Sequence, residues 1–241
     1  MKSKTVSAMK KSLLAVAVAG AGSIAAVPTV ATAEVSANLG IASQYLWRGQ
    51  TLSSSGVVFG GLDFEHESGF YAGFWTSSES DRALAADVDP ITGEVTTGLG
   101  VEYDLYAGYA GEVGDFSYDL AYVSYWYTED PGSNIFQEVY LGLGYMGFGF
   151  DAYFGVGDVG WGADKERNKD NYYALSYGYE QFGVAVGYFD TDDSDAQYTH
   201  VDLSYEALPG LVFTASKIVD QKVDDTYNDN LTFAVSYEFS F

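Results

Sequence analysis

Cysteine is absent from the 241 residues, so neither disulfides nor thiolate metal sites can hold this fold together. Proline occurs four times, and bases are scarce: 11 Lys and Arg stand against 34 Asp and Glu, a formal net charge of −23. A surface with that balance repels nucleic acid and suits cations. Long apolar runs are missing too. The one candidate, Leu13 to Val27, is interrupted by Gly20, Gly22 and Ser23 and followed by Pro28, which makes it a poor membrane-spanning helix. Helical spacing of apolar residues is hard to find anywhere beyond it.

That apolar run has a better reading as part of a leader. Lys2, Lys4, Lys10 and Lys11 precede it, and Ala31, Thr32 and Ala33 follow it before Glu34. This is the charged, apolar, small-residue order of a secretory signal peptide, with cleavage expected after Ala33. Two segments are therefore expected, a signal peptide at 1–33 and a single domain at 34–241. Four of the 11 bases lie in the leader and all 34 acids lie beyond it, so the mature charge is 7 minus 34, or −27. Solubility of exposed loops accounts for such a charge as readily as a cationic partner does.

What is abundant is aromatic and small: 21 Tyr, 15 Phe and 28 Gly. Apolar and polar residues alternate, the period of a strand with one apolar face. The C-terminal run shows it best, with Leu231, Phe233, Val235, Tyr237, Phe239 and Phe241 interleaved with Thr232, Ala234, Ser236, Glu238 and Ser240. Val35, Ala37, Leu39, Ile41 and Tyr45 form a similar row, as do Leu99, Val101, Tyr103, Leu105 and Tyr109. Further runs near 57–66, 70–77, 116–127, 136–146, 148–157, 171–179, 182–189, 198–205 and 211–218 bring the expected number to about twelve, with ten or fourteen if one pair merges or splits.

The connections sort by length in alternation. Short ones fall at Glu67 and Ser68, at 110–115, at Met146 and Gly147, at Glu180 and Gln181, and at 206–210; longer or more polar ones fall at 48–56, 78–96, 128–135, 158–170, 190–197 and 219–229. Short periplasmic turns and long outer loops characterise outer-membrane barrels. The fold class expected is an all-β transmembrane antiparallel up-and-down barrel in the outer membrane of a Gram-negative bacterium, with both termini periplasmic. A soluble sandwich would also alternate, but it would have to bury the carboxylates and glycines on the second face. Tyr45, Trp47, Tyr109, Phe116, Trp126, Tyr145, Phe148, Tyr177, Tyr179, Phe182, Tyr188 and Tyr237 fall near strand ends and are expected to form interfacial girdles. Tyr237, Phe239 and Phe241 resemble the C-terminal signal read by the barrel assembly machinery.

Ser43 to Gly49 (SQYLWRG), then Gly60 to Asp63, Gly69 to Trp75 (GFYAGFW) and Asp104 to Tyr127 (DLYAGYAGEVGDFSYDLAYVSYWY) resemble the TorF family of putative porins. The likeness runs over most of the mature chain and is specific between Ser43 and Tyr127. Val57, Val58 and Phe59 stand where that family often has a Pro and a Gln. The resemblance implies an outer-membrane channel of poorly defined substrate and no catalytic residues.

Alternation places Glu102, Asp104, Asp119, Glu138, Asp151, Asp202 and Glu238 inward, against few bases, chiefly Arg48 and Lys217. Such a lumen favours cations; the competing reading is a packed interior in which these acids pair with Arg48 and tyrosines. Arg48 itself is either a constriction residue or, by preference, an ion-pair partner that holds a loop. Tyr106, Tyr140 and Tyr153, with Tyr71 and Trp75, are the expected constricting aromatics. Asp190, Asp192, Asp193 and Asp195 crowd one outer loop, where calcium or magnesium bridging to lipopolysaccharide phosphates competes with a plain solvated loop. No resident cofactor is expected. The enzyme alternative, a lipid hydrolase, would need His66 or His200, the only histidines, with Ser204 near the latter; no nucleophile elbow accompanies them. The function expected is a passive or weakly selective channel for small hydrophilic solutes, with cation preference. Its partners would be outer-membrane lipid, lipopolysaccharide, the assembly machinery and the solutes themselves. The alternative is a non-conducting wall protein whose loops serve surface contact.

Overall fold

The computed structural model describes residues 34–53, 55–78, 87, 88, 95, 96, 101–128, 134–159, 166–224 and 226–241. The expected signal segment, 1–33, and parts of the expected loops 78–96, 128–135 and 158–170 lie outside the described residues. Twelve strands make the wall: β1 (Glu34–Ala42), β2 (Val57–Glu65), β3 (Phe70–Ser77), β4 (Glu102–Val113), β5 (Phe116–Tyr127), β6 (Asn134–Tyr145), β7 (Phe148–Val156), β8 (Asn171–Tyr179), β9 (Phe182–Asp190), β10 (Tyr198–Leu208), β11 (Leu211–Gln221) and β12 (Thr232–Ser240). Each pairs antiparallel with its neighbours in chain order, and β1 pairs with β12 to close the barrel. At that seam Leu39 faces Phe239 and Ile41 faces Tyr237. The Ala37 amide donates to the Phe241 carbonyl at 3.0 Å, and the Phe241 amide returns the bond to the Ala37 carbonyl at 2.9 Å. Closure leaves no strand edge unpaired, which hydrocarbon requires because it offers no hydrogen bonds.

The sides of the wall follow the alternation in the sequence. On β1, Val35, Leu39 and Ile41 are exposed outside, while Gly40 and Ala42 are buried inside. On β12, Phe233, Val235, Tyr237 and Phe239 face out and Ala234 is buried within. Leu120 at 55 % and Leu175 at 58 % exposure are typical of an outer belt that water would penalise and lipid would not. This is the form in which strands cross a membrane.

All five connections at one end are short: 66–69, 114–115, 146–147, 180–181 and 209–210. The turn at 114–115 is tighter than the sequence suggests, because β4 continues to Val113. The strand ends joined by the longer connections lie at the other end.

Two expectations about orientation fail. Lys217 is exposed on the outside, level with Val201 across the ladder, and it is Ile218 that turns in and is buried. Lys217 lies near the long-loop end of β11, where a lysine can bend its ammonium toward the interface at small cost, about 0–1 kcal/mol. Tyr45 and Trp47 do not join a girdle either. They are buried inside the barrel, because the chain leaves the wall after Ala42. The other ten aromatics of that set lie on the outer face.

Candidate functional site

The connection between β1 and β2 folds into the lumen instead of away from it. Ser43 and Gln44 still run beside β12: the Ser43 amide donates to the Val235 carbonyl at 2.8 Å, and Gln44 Nε2 donates to the Phe233 carbonyl at 2.9 Å. A hairpin follows, Tyr45–Trp47 paired with Gln50–Ser53. Its two-residue tip has φ of 47° at Arg48 and 81° at Gly49, the pair of positive values that a type I′ turn needs. Glycine accepts that geometry freely, whereas arginine does so at a cost of roughly 1–2 kcal/mol. Something must hold Arg48 there.

Glu138 on β6 does so. Arg48 Nη1 donates to Glu138 Oε1 at 2.9 Å and Nη2 to Oε2 at 2.6 Å, a fork-to-fork pair buried on both sides of the kind that gives geometric as well as electrostatic specificity. The Tyr125 hydroxyl donates to Glu138 Oε2 at 2.9 Å. The guanidinium carbon lies 4.3 Å from the Trp47 ring centroid, 4.5 Å from Tyr153, 4.7 Å from Tyr172 and 5.7 Å from Phe189, all within cation–π range. The Tyr198 hydroxyl donates to the Arg48 carbonyl at 2.8 Å and accepts from Gln50 Nε2 at 2.7 Å. Behind the tip, Tyr45 and Trp47 pack with Ala42, Val57, Phe59 and Trp75 in a small apolar core inside the barrel. Gly49 presses on His200 so closely that a Cβ there would sit 2.5 Å from the imidazole Cγ.

The lumen toward the short-turn end is built differently. Its wall is lined by small residues and by the half-buried carboxylates of Asp63, Glu65, Asp119, Asp151 and Glu238. Three tyrosines lie flat against it, each crossing a glycine to reach an aspartate. Tyr106 on β4 crosses Gly73 on β3 and donates to Asp63 on β2. Tyr71 on β3 crosses Gly108 on β4 and donates to Asp119 on β5 at 2.7 Å. Tyr140 on β6 lies over Gly142 and donates to Asp151 on β7 at 2.7 Å. A Cβ on any of these glycines would come within 2.3 to 2.4 Å of the tyrosine above it. The missing side chains let the rings hug the wall.

The residues expected inside divide between these two levels. Arg48, Glu102, Asp104, Glu138 and Asp202 are buried at the level of the hairpin; Tyr153 is there too. Asp119, Asp151, Glu238, Tyr106 and Tyr140 lie below it, half-buried. Sequence reasoning missed the residues that seat the hairpin inside the barrel: Tyr45, Trp47 and Gly49. The signal for them was present, since Gly49 closes a two-residue gap after the apolar run Tyr45–Trp47.

Outside this region, the acidic loop spends its carboxylates locally. Gln197 Nε2 donates to Asp190 Oδ1 at 2.8 Å, Asp192 pairs with Lys169 at 2.9 Å on the surface, and the Asp195 amide donates to Asp193 Oδ1 at 3.1 Å. Among the described residues no cluster of three acids or histidines could hold a metal ion. The histidines are likewise engaged. His66 in its short turn bonds the Ser68 hydroxyl at 2.7 Å. His200, fully buried, uses Nε2 toward the Tyr172 hydroxyl at 2.9 Å and Nδ1 toward Asp202 at 3.1 Å. Neither ring nitrogen of His200 is bonded to Ser204, so the base and nucleophile of a hydrolase are not joined there.

A family model described as "bacterial protein of unknown function (Gcw_chp)" matches residues 26–238. The chain belongs to the Gcw_chp family. No curated protein matches it. Among solved structures it is similar to the KdgM porin, at 10 % identity and a TM-score of 0.49 over 86 % of this chain and 99 % of that one. It is also similar to the outer membrane phospholipase A of Escherichia coli, at 8 % identity and 0.42 over 84 % and 91 %. A mutant porin of Rh. blastica follows at 9 % identity and 0.35, over 87 % and 100 %. Overlaps this loose include an enzyme as well as porins and carry no functional conclusion for this Gcw_chp protein; its own lumen does.

Proposed function

We propose that this protein is an outer-membrane channel for small hydrophilic solutes, with cation preference, whose lumen is narrowed at the long-loop end by the hairpin Tyr45–Ser53. The observation that carries this reading is the two-level interior: inward carboxylates on the wall below a hairpin whose tip is fixed by the ion pair of Arg48 with Glu138. Arg48 and Glu138 neutralise each other, so the field below comes from Asp63, Glu65, Asp119, Asp151 and Glu238. A low-dielectric wall focuses such a field along the axis and enriches cations there. The likeness of Ser43–Tyr127 to the TorF putative porins supports the same reading, as does the amphipathic wall. The termini then lie on the periplasmic side with the short turns.

A second reading has one specific observation behind it. The hairpin buries a small apolar core inside the barrel, which would suit a permanently closed wall protein. Recording in planar bilayers across a salt gradient separates the two. A channel gives conductance steps and a reversal potential on the cation side; a wall protein gives neither.

A further inference from the structure

Beside the hairpin, the inner face of β10 and β11 carries polar atoms that nothing among the described residues satisfies. Asp202 on β10 stands directly across from Ser216 on β11, and Ser204 stands across from Thr214 one inward position further on. All four side chains are buried, Asp202 and Ser216 to 1 % exposure and Ser204 to 4 %. Asp202 Oδ2, Ser204 Oγ and Ser216 Oγ have no hydrogen-bond partner among the described residues. Asp202 and Ser216 are directly paired, with Cβ atoms about 4.5–5.5 Å apart, and Ser204 is the diagonal neighbour of Ser216 at about 7–8 Å, close enough for an ion between them to reach all three oxygens. The neighbouring positions are small: Ala185 and Gly183 on β9 face Asp202 and Ser204, and Ala234 on β12 faces Thr214.

The other carboxylate oxygen is already committed. His200 lies between Tyr172 and Asp202, and one tautomer satisfies both contacts: the Tyr172 hydroxyl donates to Nε2 and the Nδ1–H donates to Asp202 Oδ1. The opposite tautomer would set a bare ring nitrogen against a carboxylate. His200 thus orients the carboxylate through Oδ1 and leaves Oδ2 pointing away from the ring. Arg48, the base inside the barrel at the hairpin tip, has its fork filled by Glu138, and Lys217 points outward. A buried anion with one oxygen unmet is costly unless a counter-charge meets it.

We infer that Asp202, Ser204 and Ser216 form a binding site for a small monovalent cation, an alkali-metal ion, held in the barrel wall beside the hairpin. The donor set is all oxygen, as hard cations prefer. It carries a single negative charge, which matches one positive charge better than two. This site goes beyond the channel reading and needs no conduction: the ion would neutralise the wall where the hairpin tip docks on His200.

The test uses the whole purified barrel in detergent. Crystals grown with N-methylglucamine as the cation are soaked in rubidium chloride, and thermal unfolding is compared in sodium and N-methylglucamine chloride at equal ionic strength. The expected result is an anomalous rubidium peak among the three oxygens and a higher melting midpoint in sodium. Asp202→Asn should abolish both, and Ser216→Ala should weaken the apparent sodium affinity about tenfold. No rubidium peak at this position, with a wild-type midpoint indifferent to sodium, would overturn the site. If Asp202→Asn fails to fold, Ser204→Ala and Ser216→Ala decide: an unchanged sodium response in both overturns it. A bound ion in a barrel that does not conduct would keep the site and remove the channel, so the two failures are distinguishable.

Discussion

Arg48 and Glu138 lie ninety residues apart in the chain and meet fork to fork inside the barrel, at 2.9 and 2.6 Å. One comes from a left-handed turn at the tip of a hairpin, the other from the middle of a wall strand. Neither is in its cheapest state alone: Arg48 holds an unfavourable φ, and Glu138 is a carboxylate with its surface removed from water. Each is the reason the other is tolerated.

Removing one partner should therefore free the hairpin more than it harms the wall. Glu138→Ala leaves a buried, unmatched guanidinium, a change that destabilises by about 3–5 kcal/mol, and expelling the hairpin relieves it. Trypsin cleaves after arginine, and Arg48 is shielded in the native barrel. Rapid cleavage after Arg48 in Glu138→Ala, with the wild type resistant, is expected; equal resistance in both would mean that the apolar core alone retains the hairpin.

The tyrosines that cross glycines give a separable prediction. Gly142→Ala puts a Cβ 2.3 Å from the Tyr140 hydroxyl oxygen, overpacking that should cost about 1–3 kcal/mol. Tyr140→Phe removes that oxygen, so the double variant should lose less than the two single losses summed. Strict additivity in urea unfolding would show that the ring is free to move off the wall.

On the outer face, Leu175→Arg should destabilise the folded barrel in lipid by about 2–4 kcal/mol if Leu175 sits near the bilayer midplane. Urea titration in lipid vesicles reads this. A neutral outcome there would contradict a lipid-facing belt on β8.

Deleting Phe241 removes both bonds with Ala37 at the seam and the last of the aromatic row Tyr237, Phe239, Phe241. Reduced heat-modifiable barrel in the outer membrane is expected. Wild-type levels would show that the C-terminal residue matters neither to closure nor to recognition by the assembly machinery.

The wall was legible because strand alternation is a local signal with a fixed phase. The outward row Leu231 to Phe239, the strand over 116–127 and the short turns at Met146 and Glu180 could all be read without knowing what lay opposite. Lys217 misled because a charge was assumed to seek the lumen, whereas phase puts it level with Phe213 and Ala215 outside, close enough to the interface to reach it. Tyr45 misled for the opposite reason: it continues the phase of Ile41, yet the ladder partners that would keep it in the wall stop at Ala42. Where a chain leaves a sheet is decided by contacts distant in sequence, here Glu138, Tyr198 and His200. The pairing of Arg48 with one particular acid was illegible on the same grounds, although its role in holding a loop could be read from its isolation among the bases.

The channel itself is tested most directly by single-channel recording of the purified wild type beside Glu138→Ala in planar bilayers. The expected result is discrete, cation-preferring steps in the wild type and larger steps once the hairpin is released. No conductance steps in either protein would contradict the channel and leave a closed wall in its place.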